Sequence, residues 1–358
     1  MKTCYVHIGM PKTGSSSIQD SMKNRLDDPD FLYAPFEQAN HGFVVYSLFD
    51  PNAEKHRINL SAGRSGDDLK AFNDDNRALL AAAIEQSAAN NLIISGESIT
   101  QLSVEGLTRF RLFLQEYFNN IVVVAYVRPP GSLIGSSFQQ LIKRPPVGEL
   151  NIQRSYINYH KVFSKFDAVF GRSNVHLWLY ERAELAGGDV VADFAGRLGI
   201  KQGTFDIIRS NESISKNALS LLYTYRKFGV EYGSEQISLR ENNLLVRRLS
   251  KIPGEKLCLS GRILDPVLDA HKDDIAWIEK RLGRRFNGNR AGLNSNIESE
   301  ADLLHPDRPT VETLIRMIRP DYLIQDVTGE NPEEIALLVH SLKNQISDML
   351  RDREKQQG

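Results

Sequence analysis

Residues 7–19, HIGMPKTGSSSIQ, set one lysine and a run of hydroxyls between and after two glycines. A turn of this kind leading into a helix lets backbone N–H groups and the helix dipole hold an anion. Gly14 lets the chain turn closely around such a group. Ser15, Ser16 and Ser17 bring hydroxyl donors and Lys12 brings a charge. The usual nucleoside-triphosphate loop, G-x-x-x-x-G-K-[ST], carries its lysine directly after the second glycine. Here Lys12 precedes Gly14, and no lysine follows that glycine within the loop. The spacing therefore fails for an ordinary ATP or GTP site. The plain alternative is a serine-rich N-cap on any α/β protein.

A second cationic stretch is RPPGSLIGS, residues 128–136. A strand carries Arg128 to a sheet edge, two prolines and a glycine turn the chain, and Ser136 lands about one turn into the next helix. A guanidinium fork with a hydroxyl suits a terminal phosphate. Glu97, in ISGES, ends another apolar run, and Tyr180 and Glu181 end a third. His41 lies in a polar NHGF cluster. His7, inside the first apolar run, is read as packing or as support for the loop.

These residues need a scaffold that brings them to one edge. CYVHI (4–8), NLIISGES (91–98), IVVVAYVR (121–128) and VHLWLYER (175–182) read as strands. The β-branched run at 121–128 implies burial on both faces, as in a parallel sheet. Helices are expected after the first loop, where Ile18, Met22 and Leu26 share a face, and at 76–90, about 104–118, about 131–142 and 190–200. Strands alternating with helices predict an α/β fold, and ligands of such sheets sit beyond the carboxyl ends of the strands. Past residue 215 the pattern turns helical: around 219–226, a single amphipathic helix over 269–283, a loop over 287–310, and a last helix over 332–351.

The combination resembles the sulfotransferases that use 3′-phosphoadenosine 5′-phosphosulfate (PAPS). Their P-K-[ST]-G-[ST]-[ST] loop is matched by Pro11, Lys12, Thr13, Gly14, Ser15 and Ser16; Arg128 and Ser136 match their arginine and serine eight residues apart. LYER (179–182) followed by DFAGRLG (193–199) is similar to a third feature, and HIGMPKTGSSSIQ with RSNESIS (209–215) looks bacterial. The resemblance implies a P-loop-like three-layer fold, a central parallel sheet flanked by helices, over residues 1–215. A variable insertion at 28–75 would lie near the acceptor site, and 216–358 would form a mostly helical C-terminal region on the core. It implies that residues 11–17 bind the phosphosulfate, that Arg128 and Ser136 bind the 3′-phosphate, and that Tyr180 lies near the adenine. Lys12 would neutralise the leaving phosphate, with Glu97 as base and His41 as the second choice. Glu181 and Asn211 would support the adenosine side. Glu97 capping or pairing locally, and His41 as a plain loop residue, remain open alternatives.

The implied donor is PAPS and the product 3′-phosphoadenosine 5′-phosphate (PAP), with no metal required. The acceptor is expected to be a glycan or small molecule. The 44 basic and 45 acidic residues give a net charge of -1, so nucleic acid is not an expected partner and any anion site is local. No apolar run reaches membrane-spanning length. Two cysteines build no disulfide framework, and a bacterial cytoplasm is the expected location. The competing readings are an atypical P-loop kinase or NTPase, which needs an acid on a strand end to hold magnesium, and a non-catalytic nucleotide-binding module.

Overall fold

The structure is a computed structural model that describes residues 2–145, 152–208, 214–286 and 296–357. In chain order the elements are β1 (Thr3–Ile8), α1 (Ser15–Arg25), β2 (Phe31–Tyr33), α2 (Gly42–Phe49), α3 (Arg57–Ser61), α4 (Gly66–Gln86), β3 (Asn91–Gly96), α5 (Val104–Gln115), β4 (Asn120–Val127), α6 (Pro130–Ile142), α7 (Tyr159–Phe170), β5 (Val175–Leu179) and α8 (Val190–Leu198). There follow α9 (Lys216–Phe228), α10 (Leu239–Leu249), α11 (Gly261–Ala270), α12 (Lys272–Leu282), α13 (Ala301–Leu304), α14 (Arg308–Met317) and α15 (Pro332–Gln357). Two compact units result. The first is Met1–Pro129, Asn158–Asn211 and Asp273–Asn287; the second is Pro130–Ile157, Glu212–Lys272 and Gly288–Gly358.

The first unit is α/β, as expected. Its five strands are all parallel, in the order β2-β3-β1-β4-β5. Burial explains their composition: Cys4, Val6, Ile8, Ile93, Ile94, Val123, Val124 and Val127 are almost fully enclosed. On one face Ile18 and Met22 of α1 join Val190, Val191, Phe194 and Leu198 of α8 against Ile93, Val124 and Tyr126. On the other, α5 and α7 pack on β4. Asp193 is buried within the α8 face because Tyr126 donates its hydroxyl at 2.6 Å and Arg197 its Nε at 2.6 Å. A polar group buried at that depth needs such partners.

The second unit, among the described residues, is helical. Ser215, Ser238 and Asp307 cap α9, α10 and α14 through their side chains, and Ser238 with Glu241 makes a full capping box.

Several expectations shift. A short edge strand, β2, lies within the segment expected as a variable insertion. The strand at 91–98 stops at Gly96, and Glu97 opens a 3-10 turn. The single helix expected at 269–283 breaks at His271 into α11 and α12. The loop expected at 287–310 contains α13 and the start of α14, while 287–295 and most of RSNESIS, with Asn211, lie outside the described residues.

Candidate active site

The register of the sheet decides which residues meet. Ile8 of β1 pairs with Gly96 of β3, so the next residues, Gly9 and Glu97, stand side by side. A β-carbon on Gly9 would come within 3.0 Å of Glu97 Cγ and 2.6 Å of Ser15 Oγ, so only glycine fits between them. On the other flank His7 pairs with Val124, and β4 runs on to Val127. The three further residues raise the chain by roughly 10 Å. Arg128 thereby reaches the loop, and its Nη1 donates to the Lys12 carbonyl at 2.8 Å. Next in the sheet, the amide of Tyr180 donates to the Val127 carbonyl at 2.8 Å, which sets Tyr180 beside Arg128. The Tyr180 ring lies 5.7 Å from the Arg128 guanidinium carbon.

The loop is held from inside. Thr13 donates its hydroxyl to the Met10 carbonyl at 2.8 Å, and Ser15 donates to the same oxygen at 3.4 Å. Both hydroxyls are buried and turned inward, so they shape the loop. Ser16 is half-buried and Pro11 exposed. Gly14 caps α1 at φ 78°, the left-handed region glycine tolerates, and its Cα faces Val190 and the Tyr180 hydroxyl. Lys12 also has a positive φ, 65°. For a residue with a β-carbon this costs roughly 1–2 kcal/mol. Strain of this kind persists where surrounding bonds over-determine it, as the Arg128 bond to the Lys12 carbonyl does here.

Arg128 is itself braced. Tyr159, at the start of α7, donates its hydroxyl to the Arg128 carbonyl at 2.7 Å. Asp274 of α12 accepts from the amides of Tyr159 and His160, both at 2.8 Å, and so fixes the helix start. Burial lowers the Arg128 pKa from its ordinary value, but the group starts so high that it stays a cation.

The β3 flank differs. Gly96 and Gly42 touch backbone to backbone: a β-carbon on Gly96 would lie 2.2 Å from the Gly42 nitrogen. That contact sets the start of α2 against Glu97 and Ser98. His41, just before Gly42, is fully buried between Tyr33 and Phe36. Its amide donates to the Ser95 carbonyl at 2.8 Å, and its Nδ1 accepts from the Ser95 amide at 3.2 Å. A ring that accepts at Nδ1 carries its proton on Nε2. Burial, with Lys23 adding repulsion, pulls the His41 pKa down to about 3. His41 thus has its lone pair occupied and its other nitrogen enclosed. His41, the second choice of base after Glu97, has its ring inside the packing, against the Ser95 backbone. His7 is likewise buried, within 2.7 Å of the Ser95 hydroxyl, with its pKa lowered to about 4 by burial.

The structure therefore brings Lys12, Gly14, Arg128 and Tyr180 together on one flank of the loop and Ser15 and Glu97 on the other. Ser136 stands in the second turn of α6, half-buried, and belongs to the second unit. Glu181 follows Tyr180, and burial with the nearby Glu184 raises its pKa. Tyr159 and Asp274 were not anticipated. The periodic Phe163, Phe166 and Phe170 of α7 were the available signal for the helix that carries Tyr159. Among the described residues, no helix is long and apolar enough to cross a membrane, and no His, Cys, Asp or Glu cluster is arranged to hold a metal.

No family model matches the chain. Over 110 residues it is 26% identical to an uncharacterized protein of Archaeoglobus fulgidus, a match covering 30% of each chain. Among solved structures it is similar to a sulfotransferase from Alicyclobacillus acidocaldarius, with a TM-score of 0.41 and 14% identity over 80% of this chain and 98% of that one.

Proposed function

We propose that this chain transfers a sulfuryl group from PAPS to a hydroxyl, or an amine, of a carbohydrate or small-metabolite acceptor. One observation carries the proposal: Arg128 donates to the carbonyl of Lys12, 116 residues away. The two motifs that the resemblance assigns to the two ends of one nucleotide are thus joined at one sheet edge. The residues suit the donor. The amides at the start of α1, with Ser16 and Ser17, offer N–H and O–H groups to phosphosulfate oxygens. Gly14 admits a close approach, Arg128 suits the 3′-phosphate with Ser136 as its proposed second donor, and Tyr180 offers a ring beside Arg128.

PAPS supplies an activated sulfuryl group whose departure leaves negative charge on the 5′-phosphate. Lys12 balances that charge, and the loop amides hold the nonbridging oxygens. Glu97, beside Gly9, accepts the proton of the acceptor hydroxyl as the new sulfur–oxygen bond forms and the old one breaks. Positioning and charge stabilisation carry the rate, by analogy with phosphoryl transfer.

Isothermal titration tests the proposal, comparing PAP with ADP and with ATP, with and without magnesium. We expect magnesium-independent binding of PAP, weakened about 100-fold or more in Arg128→Ala, since charge-assisted bonds contribute about 1.5–3 kcal/mol each. Preference for ATP with magnesium would overturn it in favour of a kinase or NTPase. PAP binding without sulfuryl transfer to any of a panel of glycan and small-molecule acceptors would favour a binding module.

A further inference from the structure

Two helices of the first unit, α7 and α12, are tied at both ends and open between. At one end Asp274 of α12 accepts from the amides of Tyr159 and His160. At the other, Arg281 of α12 donates Nε and Nη2 to the two oxygens of Asp167 in α7, at 2.9 and 2.8 Å, and Nη2 donates again to the Val175 carbonyl of β5 at 2.7 Å. A forked pair of this kind fixes geometry as well as adding energy. It is also largely enclosed: the Arg281 and Asp167 side chains are 10% and 17% exposed. Between the ties lies a cleft of about 380 Å³, lined by this pair and by His160, Ser164, Arg172, Trp277 and Lys280.

Helical spacing accounts for the lining. In α7, Phe163, Phe166 and Phe170 are buried, which leaves His160, Ser164 and Asp167, at i, i+4 and i+7, on a common outer face. In α12, Ile275 and Ile278 are buried, and Trp277, Lys280 and Arg281 form the facing row.

The cleft combines an aromatic corner with unbalanced positive charge. The Trp277 and His160 rings meet nearly at right angles, 84°, with centroids 4.7 Å apart. Most of the wall is apolar, and such a corner takes a planar ring by edge-to-face or offset contact. Asp167 is engaged by Arg281. Arg172 and Lys280 have no carboxylate partner among the described residues, so two cations stand at the cleft without a counter-charge. Ser164 adds a hydroxyl. The volume is near the small end of ligand sites, and a few polar groups on apolar walls are the usual makeup of one. A net charge of -1 over the chain argues against a polyanion, whereas one acid group on a small molecule is enough to meet Arg172 and Lys280.

We infer that the α7–α12 cleft binds a small aromatic acid, its ring in the Trp277–His160 corner and its acid group met by Arg172, Lys280 and the Ser164 hydroxyl. The inference is independent of the function proposed for the donor loop.

The chain has two tryptophans, Trp178 in β5 and Trp277 in α12, so its amide NMR spectrum carries two indole N–H resonances, which Trp277→Phe assigns. Titration of the full chain with 2-naphthoate is expected to shift the Trp277 resonance and leave that of Trp178 in place. The neutral isostere 2-naphthamide should bind about 10-fold more weakly. Replacing both cations, Arg172→Ala with Lys280→Ala, should weaken 2-naphthoate by a similar factor; both residues are exposed, so the fold is kept. Saturating PAP should leave the titration unchanged. An unshifted Trp277 resonance, equal binding of acid and amide, indifference to the double substitution, or a titration abolished by PAP would each overturn the inference.

Discussion

The two flanks of the Gly9–Gly14 loop carry opposite electrostatic character, fully buried histidines on one and half-buried cations on the other. On the β3 side His7 and His41 are driven neutral by desolvation. On the β4 side Arg128 loses water too, and its pKa falls, yet it keeps its charge. The difference lies in the starting values: desolvation crosses neutrality for an imidazole and does not for a guanidinium, which starts far higher. Positive charge is therefore concentrated on the β4 flank, with Lys12 and Arg128, where the proposed function puts the anion. The β3 flank presents Glu97 over a neutral hydrogen-bonded floor.

The largest effect should come from Lys12. If it stabilises charge that develops during transfer, Lys12→Ala lowers kcat about 10²–10³-fold. PAP carries that charge fully developed, so its affinity should fall too, whereas PAPS, whose 5′-phosphate is still esterified, should lose much less affinity. Equal losses in kcat and PAPS affinity would show that Lys12 only binds, and would erase its proposed difference from Arg128.

The next test acts on the β3 flank through packing. Gly96→Ala puts a methyl group onto the Gly42 backbone, where neither chain can yield cheaply. A loss of about 2–3 kcal/mol in urea unfolding is expected, at the upper end for overpacked sites. Gly135→Ala, in α6 with nothing within 4 Å of the new carbon, is the control and should be neutral or mildly stabilising. Similar losses in both would mean that the Gly42–Gly96 contact does not define this flank.

How much of this was legible beforehand varies with the kind of interaction. IVVVAYVR reads directly as a doubly buried strand, and the unusual residues at strand ends could be assigned to one edge before any coordinates. Local chemistry near Pro11–Ser16 was also readable, because a glycine turn and a helix start are written in consecutive residues. The inward turn of Thr13 and Ser15 was not, since it depends on one carbonyl, that of Met10. The neutral state of His41 depends on a strand more than 50 residues away, whose backbone amide occupies its Nδ1. The three-residue β2 is too short to show a period. Phe163, Phe166 and Phe170 did show one, and α7 could have been found from it.

The histidines themselves provide a pH test. The unfolded chain takes up protons on both near pH 6.5, while the folded chain resists until about pH 4 for His7 and about pH 3 for His41. Their folded values are depressed, so this stability is fully present above pH 6.5 and is lost as pH falls towards the folded values. Each contributes at most about 1.4 kcal/mol per pH unit in that window. Urea unfolding at pH 7, 6 and 5 should show a shallower acid slope in His41→Gln than in wild type, whatever the baseline stability. An unchanged slope would mean that His41 is protonated in the folded chain, and the contrast between the flanks would fail.

The smallest effect is expected at Ser136. A neutral hydroxyl facing a phosphate contributes less than a guanidinium, about 1 kcal/mol, so Ser136→Ala should weaken PAP about 3–10-fold against 100-fold or more for Arg128→Ala. The comparison is informative because it separates the hydroxyl's share from the guanidinium's. If Ser136→Ala leaves PAP affinity unchanged, the 3′-phosphate site is a property of the β4 flank alone. If the loss is the expected few-fold and vanishes for a nucleotide without a 3′-phosphate, the hydroxyl acts on that group.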